Sequence, residues 1–140
     1  MNETIIHDGP DDTCFGCGHQ NAQGLRLVFR VTGPDAVEAD YTAPEHFCGA
    51  PNVVHGGIQA TLLDEVMGIA VHVGSGGDRA EHVTAEMSLR YRRPAHAGRP
   101  LRVRARFLRS EGRDFFAEGQ ILDAEGEILT RAESRWRAIG

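Results

Sequence analysis

The chain has 140 residues and a formal net charge of −5, enough for one domain around a single core. Apolar residues make up 41% and charged residues 25%, the balance of a globular chain rather than a disordered one. No apolar run approaches the length of a membrane span, and the acidic balance argues against a dedicated nucleic-acid binder. The start, Met1-Asn2-Glu3-Thr4, lacks the basic and apolar regions of an export signal, so the expected location is the cytoplasm. Lysine is absent and arginine carries all the formal positive charge, a bias that lowers the information in any single arginine.

Residues 1–23 are polar and rich in Gly, Asp and Cys, and are read as an irregular arm. Leu25, Leu27, Phe29 and Val31 alternate with Arg26 and Arg30 and predict a half-buried strand. Gly33-Pro34-Asp35 turns the chain into a second strand, in which Val37, Ala39 and Tyr41 alternate with Glu38, Asp40 and Thr42. A loop over 43–54 carries Pro44 and Pro51. A helix is predicted over about 56–73, ended by Gly74-Ser75-Gly76-Gly77, which starts a flexible loop. Four strands follow: Val83 to Tyr91, Leu101 to Phe107, Phe115 to Leu122 and Ile128 to Ile139. Turns at Ser110-Glu111-Gly112-Arg113 and Asp123-Ala124-Glu125-Gly126 separate the last three. The order is β-β-α-β-β-β-β, an α+β chain with no internal repeat and no linker. Only the sheet can bury the one long apolar helix, so a curved antiparallel sheet must wrap it.

The cysteines are Cys14, Cys17 and Cys48. An odd count without an export signal is poor evidence for a disulfide framework. Cys14-Phe15-Gly16-Cys17-Gly18-His19 has the spacing of a metal pair, with His46 or Cys48 as further ligands. The second ligand pair of a structural zinc site is missing, however. The expectation is therefore no metal, and a Gly-rich turn with small buried thiols feeding the first strand.

Chemistry concentrates at Val54-His55-Gly56-Gly57, which opens the helix. The glycines expose backbone N–H groups where the helix dipole favours negative charge. Two to three turns along sit Asp64 and Glu65, in an otherwise apolar stretch. Burying a carboxylate is costly without a reason, which marks Asp64 as a base or nucleophile. Glu65 points about 100° away and is read as a solvent or interface contact.

These residues resemble hotdog-fold thioesterases of the phenylacetate-pathway and acyl-CoA type. The similarity rests on His55-Gly56-Gly57 with Asp64 nine residues after the His. It is supported by Val83–Pro94, ending in Tyr91-Arg92-Arg93-Pro94, and by the arm's Cys-x-x-Cys-Gly-x-x-Asn-x-x-Gly-Leu. The resemblance covers nearly the whole chain after the arm, so 1–140 is taken as one hotdog domain. It implies hydrolysis of an acyl-CoA to free acid and CoA, with CoA entering as part of the substrate and no separate cofactor. Gly56 would donate its N–H to the thioester carbonyl, Asp64 would act as base or nucleophile, and His55 would shape the turn. Thr84 would hold the attacking water and come from a partner chain. Gly57, Asn52, Arg90, Arg92 and Arg93 are the candidates for substrate or CoA contacts. Arg102, Arg104 and Arg106, by contrast, occupy the polar face of a strand. The family's polar residue six positions before the His is here Gly49, with Asn52 as the possible substitute. A homodimer with a continuous sheet, paired again into a tetramer, is expected.

Two other functions compete. His46-Phe47-Cys48-Gly49-Ala50-Pro51 resembles a fatty-acid dehydratase motif, but the partner acid would fall at Ala60. A non-catalytic acyl-CoA binding module would use the same pocket without turnover.

Overall fold

The computed structural model of the protein describes residues 3–76 and 82–139. The loop predicted after the helix falls largely on 77–81, outside the described residues. Seven strands form one antiparallel sheet: β1 (Glu3–Ile5), β2 (Phe29–Gly33), β3 (Ala36–Tyr41), β4 (His82–Tyr91), β5 (Leu101–Glu111), β6 (Asp114–Leu122) and β7 (Ile128–Ala138). Their order across the sheet is β1-β2-β3-β5-β6-β7-β4. The helix α1 (Gly56–Gly74) lies against it, and a 3-10 turn (Glu45–Phe47) precedes the helix. This is the hotdog arrangement, a long helix held in a curved antiparallel sheet.

Gln59, Leu62, Leu63, Val66, Met67, Ala70 and Val71 are the buried residues of α1. Their spacing of three and four places them on one stripe. That stripe meets Val37, Ala39, Val103, Ala117 and Ile121 from the inward positions of β3, β5 and β6. Each large side chain so buried contributes about 1.5–3 kcal/mol. Gly119 on β6 marks the closest approach, because a Cβ there would stand 3.0 Å from Met67 and 3.2 Å from Leu63. The alternate positions of β5 carry Arg102, Arg104 and Arg106, which face outward as expected. They pair with Glu38 and Asp40, Gln120, and Glu118 respectively.

The arm is more ordered than its composition suggests. Its first residues form β1 and pair with β2, Glu3 opposite Val31 and Ile5 opposite Phe29. The first long strand also starts later than the alternation predicts, at Phe29 rather than Leu25. Leu25 and Leu27 are buried, but Arg26 between them has φ of 53°, which no regular strand accommodates. Their backbones instead bond to the arm, Leu25 N–H to Phe15 O and Leu27 N–H to Gly16 O. Burial alone produced the alternating pattern there.

Candidate active site

The helix start is built as its sequence suggests. His55 is the N-cap, and its Nδ1 accepts the Gly57 N–H at 2.9 Å. That bond fixes the imidazole as part of the turn and occupies the Gly57 donor. Gly56 is the first helical residue, where the N–H has no acceptor within the helix itself. Of the two glycines, Gly56 is therefore the one whose N–H His55 does not take. Gln59 anchors this first turn from inside: it donates to Val54 O at 3.0 Å and accepts from Thr130 at 2.6 Å.

Asp64 lies on the side of α1 that the edge strand β4 borders. Its carboxylate accepts a hydrogen bond of 2.6 Å from the Thr84 hydroxyl. Partial burial raises the Asp64 pKa above the ordinary carboxylate value, and the Thr84 bond opposes that rise. A half-buried carboxylate with one polarising donor is the state expected of a general base. The surrounding groove is lined by Asp64, Gly68, Ile69, His72, His82 and Trp136, and continues to His7, Asp12 and Cys17 in the arm.

Thr84 reaches Asp64 through a bulge. In the β4–β7 ladder Thr84 opposes Trp136, while Glu86 opposes Arg135, so two steps on β4 match one on β7. Without the extra residue, Thr84 and Glu86 would share a face. With it, Glu86 turns outward to Arg135 at 2.8 Å, and Thr84 joins Trp136 on the helix side. Trp136 packs close against α1 because residue 68 is glycine; a Cβ there would stand 2.7 Å from the indole. Thr84 was expected to come from a partner chain. Instead it meets Asp64 within one chain, because β4 borders the same helix.

The other candidates separate. Asn52 has φ of 63°, a conformation that Asn tolerates, and its carbonyl accepts the Ala97 N–H; it is a turn residue. Gly49 lets the loop pack on the His55 ring, 3.3 Å from a Cβ placed there. Arg90 opposes Arg131 on the outer face of β4. Arg92 and Arg93 follow Tyr91 at the helix-start end of that strand, and Arg93 approaches Glu127 at 3.9 Å. His46 packs edge-on against Phe47, and Ala60 supplies no acid for it.

Two contacts escaped the sequence reading. Tyr91 Oη donates to Gly56 O at 2.7 Å, pinning the end of β4 to the helix start. Glu65 does not face solvent alone: its Oε1 accepts from Cys14 Sγ at 3.3 Å. Both pairs are far apart in sequence, and only the aromatic at the end of β4 hinted at the first.

Comparison with known proteins agrees with this architecture. The profile of the thioesterase superfamily matches residues 51–130, the stretch from the turn before α1 through β7's first residues. The chain belongs to that superfamily. A crystal structure of a thioesterase superfamily protein is 28% identical with a TM-score of 0.82; it aligns with 90% of this chain, which spans 60% of that protein's length. A putative thioesterase from Ralstonia eutropha JMP134, described as phenylacetic acid degradation-related, is also 28% identical, with a TM-score of 0.72 over 81% of this chain and 86% of that one. A protein of Streptococcus mutans UA159, solved bound to acetyl CoA, shares the fold at 16% identity and a TM-score of 0.72, over 81% of this chain and 89% of that one. No curated protein sequence is significantly similar to the chain. Among the described residues, no helix is long and apolar enough to cross a membrane.

Proposed function

We propose that the protein hydrolyses an acyl-CoA thioester to the free acid and CoA. The observation that carries this reading is the Thr84–Asp64 pair at 2.6 Å in the groove beside α1. Asp64 takes a proton from a water held by Thr84, and the water oxygen attacks the thioester carbonyl. The oxyanion is stabilised by the Gly56 N–H and the positive end of the helix. The carbon–sulfur bond then breaks, and the CoA sulfur leaves with the proton that Asp64 had taken. A thioester carbonyl is electrophilic enough for these groups to suffice. Nucleophilic attack by Asp64 through a mixed anhydride is the alternative route, but the bound hydroxyl beside the carboxylate favours an ordered water.

One chain does not supply a whole site. Gly56 and Asp64 are eight residues apart on one helix, about 12 Å along its axis. No single carbonyl touches both. The Gly56 N–H of one copy therefore works with the Asp64–Thr84 pair of another. A dimer that joins the free β4 edges into a continuous sheet brings them together, and two such dimers form the tetramer. The acetyl CoA held by the Streptococcus relative supports CoA as the carrier, and Arg92 and Arg93, beside the helix start, suit its phosphates.

The test is release of free thiol by the pure protein from arylacetyl, benzoyl, short-chain and long-chain acyl-CoAs. Hydrolysis of at least one class is expected. Tight CoA binding without release from any of them would replace the enzyme by a binding module.

A further inference from the structure

The arm brings together a set of metal-ligating side chains that the hydrolytic reading leaves unused. Cys14 Sγ, Cys17 Sγ and a Glu65 carboxylate oxygen all lie within 4.8 Å of one another. The individual contacts are shorter: Cys14 Sγ to Glu65 Oε1 is 3.3 Å, and His7 Nδ1 to Cys17 Sγ is 3.1 Å. Around a tetrahedral zinc ion, with Zn–S near 2.3 Å and Zn–N or Zn–O near 2.0–2.2 Å, neighbouring ligand atoms stand roughly 3.4–3.8 Å apart. The Cys14–Glu65 contact falls within a few tenths of an ångström of such an edge.

The backbone is built to hold this arrangement. Cys14 to Gly18 closes as a knuckle, with the Gly18 N–H bonded to Cys14 O at 2.9 Å. His7 is fixed to the same knuckle by a bridge to Gly18, and its carbonyl accepts the His19 N–H at 2.7 Å. Gly16 admits Glu65, because a Cβ at position 16 would overlap the Glu65 side chain. Cys17 is buried, so its sulfur is held in place rather than free to sample solvent. His46 and Cys48, the further ligands that the sequence suggested, lie outside the group found among the described residues, and so does His7, which touches it through Cys17 Sγ.

We propose that Cys14, Cys17 and Glu65 bind one Zn²⁺ ion that clasps the arm to helix α1, with His7 bonded to Cys17 Sγ as an outer partner. Two sulfur donors select a soft or borderline metal over Mg²⁺ or Ca²⁺, and three protein ligands leave the fourth position to water. Binding releases the two thiol protons, so the ion is held by two thiolates and a carboxylate. Its role is positional. Glu65 adjoins Asp64, and Cys17 and Asp12 line the groove that Asp64 faces, so the ion fixes the wall of that groove.

The test uses the full chain, stripped with chelator under reductant and titrated with Co²⁺ as the probe, then with Zn²⁺. The expected result is saturation near one ion per chain. Cobalt should give a thiolate-to-metal absorption in the near ultraviolet and a tetrahedral visible spectrum, and Zn²⁺ should displace it. Cys14→Ser and Cys17→Ser should abolish the near-ultraviolet band. Glu65→Gln and His7→Ala should each weaken binding at least tenfold, and Cys48→Ser should change nothing. Absence of the band in the reduced wild-type chain, with both thiols open to a thiol reagent, would overturn the proposal whatever the variants do. So would a band that Glu65→Gln and His7→Ala leave unchanged. A Cys14–Cys17 disulfide, seen as a 2 Da loss of mass, in a chain that takes up no cobalt after reduction would overturn it as well.

Discussion

Asp64 carries a cost that only function explains. Its pKa is raised by burial and lowered in part by the Thr84 hydroxyl. A raised carboxylate pKa in the folded state contributes stability below the unfolded value, and that stability is lost as pH rises through the folded value. Once ionised, Asp64 is thus a burden on the fold, and Asp64→Asn should melt no lower than the wild type. The same shift sets the pH profile. Activity needs the ionised carboxylate, so kcat/KM should rise with pH along a limb centred above the ordinary carboxylate range. Thr84→Ala removes the group that lowers this pKa, so the limb should move to higher pH. The rate on the plateau should fall about tenfold or more, since a hydrogen bond to a charged group is worth roughly 1.5–3 kcal/mol. A limb that stays put in Thr84→Ala would separate the threonine from the working carboxylate. Thr84→Ser, which keeps the hydroxyl, should restore both.

The groove depends on how three elements meet, α1, β4 and β7. Trp136 of β7 lies against α1 at Gly68, one turn beyond Asp64. Gly68→Ala would put a methyl group 2.7 Å from the indole, and such overpacking costs about 1–3 kcal/mol. A drop in Tm is expected, together with altered Trp136 fluorescence. An unchanged Tm would mean that the indole does not rest there. These contacts also show which parts of the structure were legible in advance. The helix and the four strands after it were, because their apolar positions repeat at periods of 3.6 and 2. The His55-to-Asp64 spacing was as well, since both lie on one helix. The bulge at β4 was not: it inserts a residue without changing composition, yet it decides that Thr84 and Glu86 face opposite ways. β1 was missed because three edge residues show no alternation. The contact of Cys14 with Glu65 joins residues 51 apart, a distance over which no local pattern speaks.

At the scale of the molecule, the described residues hold one α-helix, and the proposed reaction draws on two helix regions. In the proposed mechanism, the distance between Gly56 and Asp64 makes assembly a condition of activity. Gly56→Pro tests this cleanly. Proline is favoured at the first helical position, and His55, with φ of −54° and ψ of 137°, already has the extended backbone that precedes proline. The substitution removes the N–H while sparing the helix. Loss of an oxyanion donor should lower kcat by about 10²–10³. Neither Gly56→Pro nor Asp64→Asn should be active alone, but after mixed refolding, random pairing leaves one intact site in each mixed dimer. About a quarter of the wild-type rate should return. A mixture as inactive as its parts would place both groups in one chain's site.

The decisive measurement is thiol release from the preferred acyl-CoA by the wild type and by Asp64→Asn, with CoA binding followed in parallel. Loss of a general base costs about 10²–10⁴ in rate, so turnover should fall by that factor while CoA binding and Tm hold. An Asp64→Asn protein that hydrolyses its substrate at the wild-type rate would contradict the assignment of Asp64 as the base.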